Sequence, residues 1–363
     1  MVSFLTNGIL SLISAIIHQF SLYPLFMMSN IVPFMISYLY HVQKESNKNK
    51  KSSLSQDDGY FIHPIMELCM SICCFFGGMV EHYLGPRLVI LLGAVSISLG
   101  DFLFIVSKNL IFDFFINIFF GIGFAIAMTA AVKNASKYFP NKRGLINALA
   151  GGFGGNLGSS FFNLIIKYCV SKGDFPDHDD NDMYKMETAK NYKNFFYIHG
   201  GLVLGLGVIS SLLLVPFKET EKASGLIEDL SKKEENKKDN KEENNENYKK
   251  GLKIILTNMR IYKLLIIFLF TSFLQGFIFT DGFNYGTMYH GNKNKIGGED
   301  MSIIFMLTAI ISSGMGPLFG IIYDKIGFKY TIIIIDTISI INGSLINLVK
   351  LGTIFYGISI ILN

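Results

Sequence analysis

The chain has 363 residues, half of them hydrophobic, with 33 Phe, no Trp and a formal net charge of +4. Its apolar residues gather in uncharged runs of about 20, the length of a helix that crosses a hydrocarbon core of roughly 30 Å. A water-soluble fold cannot hide so many such runs, and a near-balanced charge held mostly in loops excludes a nucleic-acid-binding surface. The expected class is therefore an all-α, multi-pass integral membrane protein, in a plasma or organelle membrane.

Nine full spans and a partial tenth are expected in chain order. The first, about 8–28, is broken by Pro24 and carries His18 and Gln19. It lacks a basic leader, so it reads as a membrane helix rather than a cleaved signal. An extended piece is expected over 30–40, then a Lys-rich loop over 41–60. Span two, about 62–80, and span three, 88–107, flank a short polar turn, and span three carries Asp101. Span four, about 110–132, ends beside Lys133. A basic loop, 137–144, leads into an uncharged, Gly-rich span five that ends near 166. An acidic loop over 173–193 precedes span six, 195–217, with His199 near its start.

Composition then changes abruptly. Residues 218–253 hold ten Lys and ten acidic residues with almost nothing to bury, so this tract is expected to stay unfolded. The organisation expected is a six-helix bundle over 1–217, a charged cytoplasmic linker over 218–258 and a partial second bundle over 259–363. Span seven, about 261–283, ends near Asp281. Span eight covers 302–323, and span nine, 330–349, holds Asp336 about two turns in. The last run, 352–363, is too short to cross alone.

The four Cys (Cys69, Cys73, Cys74 and Cys169) read as small core residues, because three of them share one apolar run. Two metal patterns are set aside. The acidic residues at 177–182 lack the Gly and the terminal Glu of a calcium loop, and His63, Cys69 and Cys73 supply too few ligands for zinc. No metal and no cofactor is expected. No Gly-rich phosphate loop ending in Lys-Ser/Thr is present, so movement would be driven by a gradient rather than by ATP.

The organising pattern is a short polar turn that occurs twice, each time between two apolar runs. The copy at 320–329 reads Gly320, Asp324, Lys325, Gly327 and Lys329. The copy at 78–87 keeps Gly78, Gly85, Pro86 and Arg87, but has Glu81, His82 and Tyr83 where the other has its acidic and basic pair. Both copies follow even-numbered spans, so they face one side of the membrane. Two six-helix halves related by an axis along the membrane normal have this parity.

These residues resemble the signature of the major facilitator superfamily, Gly-x-x-x-Asp-Arg/Lys-x-Gly-x-Arg/Lys, which joins helices 2 and 3 and again 8 and 9. The Gly-Pro-Arg ending, and the stretch 137–158 with Tyr-Phe-Pro, a basic pair and a Gly-rich helix, resemble its monocarboxylate and oxalate/formate exchanger branch. The resemblance implies the major-facilitator fold, two pseudo-symmetric bundles working by alternating access. That family has twelve helices. This sequence ends within the tenth, so the second bundle is expected to be incomplete, without helices 11 and 12.

Candidate residues fall into three sets. For gating, a carboxylate in the turn between spans eight and nine favours the positive N-terminal end of a neighbouring helix. The resemblance implies that this neighbour is the start of helix 5, so Asp324 is expected to latch onto Arg143 and Gly144. For packing, Gly151 with Gly155 and Gly154 with Gly158 are small residues four apart that admit a second backbone, as are Gly201 and Gly205. For solute or protons, buried ionisable groups are the candidates, because an unpaired charge in lipid costs at least about 2.5 kcal/mol. These are His18, Asp101, Asp281 and Asp336, joined by the polar Asn156 and Gln275.

The function expected is transport of a small organic solute, a monocarboxylate first, by proton symport or anion exchange, in a monomer embedded in the bilayer. Span eight lacks the Arg or Lys that the exchanger branch often uses for its anion. A neutral or zwitterionic solute such as an amino acid therefore stays open, as does a receptor or scaffold that does not transport. No span pairs a nucleophile with a base, so an enzyme is not expected.

Overall fold

A computed structural model describes residues 2–23, 28–46, 54–170, 183–217 and 298–345, with isolated positions between 257 and 266. The described chain is helical: α1 (Val2–Leu22), α2 (Met28–Ser46), α3 (Ile62–Val106), α4 (Leu110–Tyr138), α5 (Arg143–Asn147), α6 (Asn156–Ile165), α7 (Met186–Ala189), α8 (Tyr192–Leu213), α9 (Gly298–Ile326) and α10 (Phe328–Leu345). Among the described residues, five helical stretches are long and apolar enough to cross a membrane, and Ile62–Cys74 is a shorter apolar helix. Gln275, Asp281, Asn284, Tyr285 and the acidic stretch 177–182 lie outside the described residues.

A lipid-facing stripe is visible on α3. Leu88, Leu92, Val95, Leu99, Phe102 and Val106, spaced by three and four, are exposed, while Val89, Ile90, Ala94, Ile97 and Phe104 between them are buried. Such a stripe would be an aggregation hazard in water and is stable against acyl chains. On the inner face, small residues bring α3 and α4 together. A Cβ on Gly77 would fall 2.9 Å from the Ala125 carbonyl oxygen, and one on Gly123 would fall 3.0 Å from that of Gly93.

α3 runs through both the second and third expected spans, and its backbone leaves the helical region at Gly85 (φ 77°, ψ 158°). Gly327, between α9 and α10, has φ 81°. These are the second glycines of the two polar turns, and each reverses the chain at the same end of the molecule. Among the described residues a Cβ at either would meet nothing within 4 Å, so the requirement for Gly is conformational rather than steric. Gly85→Ala and Gly327→Ala are each expected to lower stability by about 1–3 kcal/mol, the scale of a residue forced into that region. Thermal unfolding of the purified chain in detergent checks this, and unchanged melting would contradict it.

The helix ends at the polar turns are tied by side chains. Arg87 Nε donates to the Leu214 carbonyl at 2.6 Å, placing a cation on the negative end of α8. Asn134 Nδ2 and Ser11 Oγ donate to the Val215 carbonyl at 2.7 and 3.0 Å, and the Phe217 N–H donates back to Asn134 Oδ1 at 2.9 Å. The rings of Phe4, Tyr138 and Phe217 close the group, with Tyr138 and Phe217 centroids 5.0 Å apart. The first residues of α1 and the last of α4 and α8 therefore share the end that carries both turns.

Two expectations about the first hundred residues are corrected. Residues 30–40 are not extended but lie in α2, where Ile31, Met35 and Leu39 are fully buried at a spacing of four. The run is short, aromatic and β-branched, and all of 31–40 except Pro33 is buried, so neither composition nor periodicity separates strand from helix there. The first span begins earlier than expected and ends at Leu22.

The fifth span is continuous helix from Arg143 to Val170, but two of its stretches, Ala148–Gly155 and Ile166–Val170, are wider π turns. Such turns are rare and concentrate at functional positions. Its small residues serve two neighbours. Gly154, Gly155 and Gly158 meet Ile16, Tyr23 and Phe20 of the first span, whereas Gly151 has only the Tyr23 hydroxyl 3.5 Å away. On the other side Gly144, Ala148 and Gly152 face Gly316 and Gly320 of α9. A Cβ on Gly320 would sit 2.6 Å from the Gly144 carbonyl oxygen, and one on Gly152 would sit 3.3 Å from Gly316 Cα. On α8, among the described residues, a Cβ on Gly201 or Gly205 meets nothing within 4 Å. The close approach there belongs to Gly200, against Asp101 and Phe102, and to Gly207, against Ala94.

Candidate functional site

A cavity of about 620 Å³ lies between α1, α4 and α5. Gln19, Tyr23, Met128 and Thr129 form its inner part, and Lys133, Ser136, Lys137, Arg143 and Asn147 form the part near the polar turns. Helical spacing builds one wall. Thr129, Lys133 and Lys137 are four residues apart, and Val132 and Ser136 flank them on the same face of α4. Three cations and no acidic residue line this space among the described residues.

The cations are held differently. Lys133 Nζ donates to Glu81 Oε2 at 2.9 Å, with the Glu81 side chain 7% exposed and that of Lys133 51% exposed. Lys137 and Arg143 form no ion pair among the described residues. Ser136 Oγ donates to Asn147 Oδ1 at 2.6 Å, tying the end of α4 to α5. At the inner end Gln19 Nε2 donates to the Met128 carbonyl at 2.6 Å. Oε1 of the same side chain is buried without a partner among the described residues.

None of the described residues proposed from sequence for solute or protons stands on this wall. His18 is fully buried one position from Gln19, with Nε2 3.3 Å from the Ala127 carbonyl. Asn156 and Asp336 are half-buried and do not line the cavity. Asp101 is fully buried away from it, and its Oδ2 lies 2.8 Å from His199 Nδ1. Phe195 stacks on the His199 ring and Phe162 meets it edge-on, with centroids 5.4 and 5.0 Å away.

Sequence reasoning passed over Lys133, Lys137 and Arg143 as cavity cations. The signal was present in the four-residue spacing of Thr129, Lys133 and Lys137. A Lys near the end of a span also reaches the membrane surface, and nothing along one helix tells an inward from an outward Lys.

The turn at 320–329 meets the start of α5. Asp324 Oδ1 accepts from the Gly144 N–H at 2.8 Å, and Oδ2 accepts from the Leu145 N–H at 2.9 Å. The contact is therefore carboxylate to backbone rather than carboxylate to guanidinium. Arg143 makes no ion pair with Asp324 and faces the cavity. Gly78, Lys325 and Lys329 are exposed at the same end.

With twinned glycine turns, exposed apolar helix faces and a cavity lined by α1, α4 and α5 in place, comparison with known families decides the class. The sequence profile of the Major Facilitator Superfamily matches residues 24–362. The chain belongs to this superfamily. It is accordingly an integral, multi-pass, all-α membrane protein of a family of solute transporters rather than of enzymes. No curated protein matches the chain.

Proposed function

We propose that the chain moves a small organic anion, a monocarboxylate first, across its membrane by alternating access. The observation that supports this is the cavity wall, where Lys133, Lys137 and Arg143 converge with no lining carboxylate among the described residues. A carboxylate finds ammonium and guanidinium donors there, whereas the ammonium of a zwitterion finds no opposite charge. The cations come from α4 and α5, which answers the lack of a basic residue in the membrane part of α9.

In this mechanism a six-helix bundle over 1–217 and a partial second bundle over 259–363 are joined by the charged linker 218–258. They rock about the midplane under proton symport or anion exchange. Asp324 on the α5 N–H groups holds the halves together at the end that carries the polar turns, and the bond breaks as they rock. The Gly144/Ala148/Gly152 face against Gly316 and Gly320 lets the helices move past each other with little side-chain interlock.

Uptake of labelled lactate, pyruvate and alanine into proteoliposomes containing the purified chain tests the reading. Lactate and pyruvate uptake is expected, and Lys137→Gln with Arg143→Gln is expected to raise KM for lactate about tenfold or more, the scale of losing charge-assisted hydrogen bonds. Uptake of alanine alone would favour the zwitterion reading. Absence of all uptake would favour a receptor or scaffold.

A further inference from the structure

The ion pair between Glu81 and Lys133 joins the first polar turn to the wall of the cavity. Glu81 lies on α3, four residues before Gly85, and its carboxylate is 7% exposed. Lys133 is 51% exposed and lines the cavity, so the same ammonium that holds Glu81 also faces the solute space. An ammonium has three donors, and one goes to Glu81 Oε2. The two partners differ in freedom. Glu81 is enclosed by packed helices, whereas Lys133 has a flexible four-carbon stem that is half in the open.

The two polar turns therefore use their acidic residues differently. In the second, Asp324 reaches outward to another helix's backbone. In the first, Glu81 sits one position earlier, at the place before His82, and turns inward to α4. A one-residue step along a helix rotates a side chain by about 100°, which is enough to exchange one neighbour for another.

We infer that Glu81 is a built-in competitor of the transported anion for Lys133. This rests on the cavity binding an anion. A carboxylate that arrives in the cavity draws the Lys133 ammonium toward itself, and the buried Glu81 is left less neutralised. That penalty is relieved when the ammonium swings back and the solute departs. Glu81 thus keeps the affinity low and the release fast, and it ties occupancy of the cavity to the turn at Gly85. No covalent step and no net proton transfer is involved, only the exchange of one anion for another on one cation.

The test uses the full chain in proteoliposomes with labelled L-lactate, with KM and kcat normalised to the protein incorporated. Glu81→Gln keeps the shape and removes the competing charge. It is expected to lower KM by about two- to fivefold, the scale of one partly exposed ion pair, and to lower kcat with it because release is slower. The exchange Glu81→Lys with Lys133→Glu restores an ion pair but puts a carboxylate on the cavity wall, and it is expected to abolish lactate uptake. A purely structural pair behaves oppositely: Glu81→Gln leaves KM unchanged or raises it, and the exchanged pair carries lactate like the wild type. Either of those results overturns the inference. A wild-type chain that carries no carboxylate at all would overturn the anion reading of the cavity and this inference with it, a result distinct from uptake with an unaltered KM.

Discussion

Asp324→Asn should cut solute uptake about tenfold, the scale of one hydrogen bond to a charged group. A carboxylate is acceptor-only, and its two oxygens meet two consecutive N–H groups, those of Gly144 and Leu145, at 2.8 and 2.9 Å. An Asn side chain offers one acceptor oxygen. Its NH2 must then face a backbone N–H, which loses one bond and opposes two donors. The surroundings leave little slack, since a Cβ on Gly144 would lie 2.5 Å from Tyr323 Cδ1 and 2.8 Å from Asp324 Oδ1. Asp324→Glu adds a methylene to that crowded seam and should also fall well below wild type. Arg143→Gln, by contrast, should leave the bond between Asp324 and α5 in place and act through KM, because the guanidinium faces the cavity. Initial rates of uptake at saturating and at limiting solute separate the two effects. Wild-type rates in Asp324→Asn would sink the idea that this contact gates.

The second large effect is expected on stability. Asp101→Ala or His199→Ala should each lower the unfolding free energy by about 3–5 kcal/mol, because removing one partner strands the other in an apolar cage. Both side chains are essentially unexposed, and the imidazole is enclosed by Phe162 and Phe195. Replacing both partners by apolar residues, Asp101→Leu with His199→Phe, should recover most of the loss, since no buried polar group is then orphaned. Thermal unfolding in detergent measures this, and Asp101→Ala with His199→Ala completes the double-mutant cycle. Losses that simply add in the double variant would mean that the two groups do not depend on each other. Because the pair lies away from the cavity, surviving protein of either single variant should keep a near-normal KM.

What could be read from the sequence is what depends on neighbours along the chain. Helical spans follow from run length and the absence of charge. The polar turns follow from spacing, and both of their second glycines adopt positive φ, at Gly85 and Gly327. The candidate site was less legible. The sequence offers Asp101 as a buried ionisable group, but its partner is 98 residues away on α8. It pointed to His18, whereas Gln19, rotated about 100° from it on the same helix, lines the cavity.

By itself, then, the sequence determined the class, the doubled turn and the end that the two turns share, because hydrophobic run length and glycine backbone freedom are local properties. Only the tertiary structure decided which side chains meet. It set Glu81 on Lys133, Asp101 on His199, and Asp324 on backbone N–H groups rather than on Arg143. It also made 28–46 a helix. Contacts between helices depend on their crossing angle and rotation, which are fixed by how small residues such as Gly144, Gly152, Gly316 and Gly320 let backbones approach. That information is distributed over every helix in contact and is carried by no single stretch of the chain.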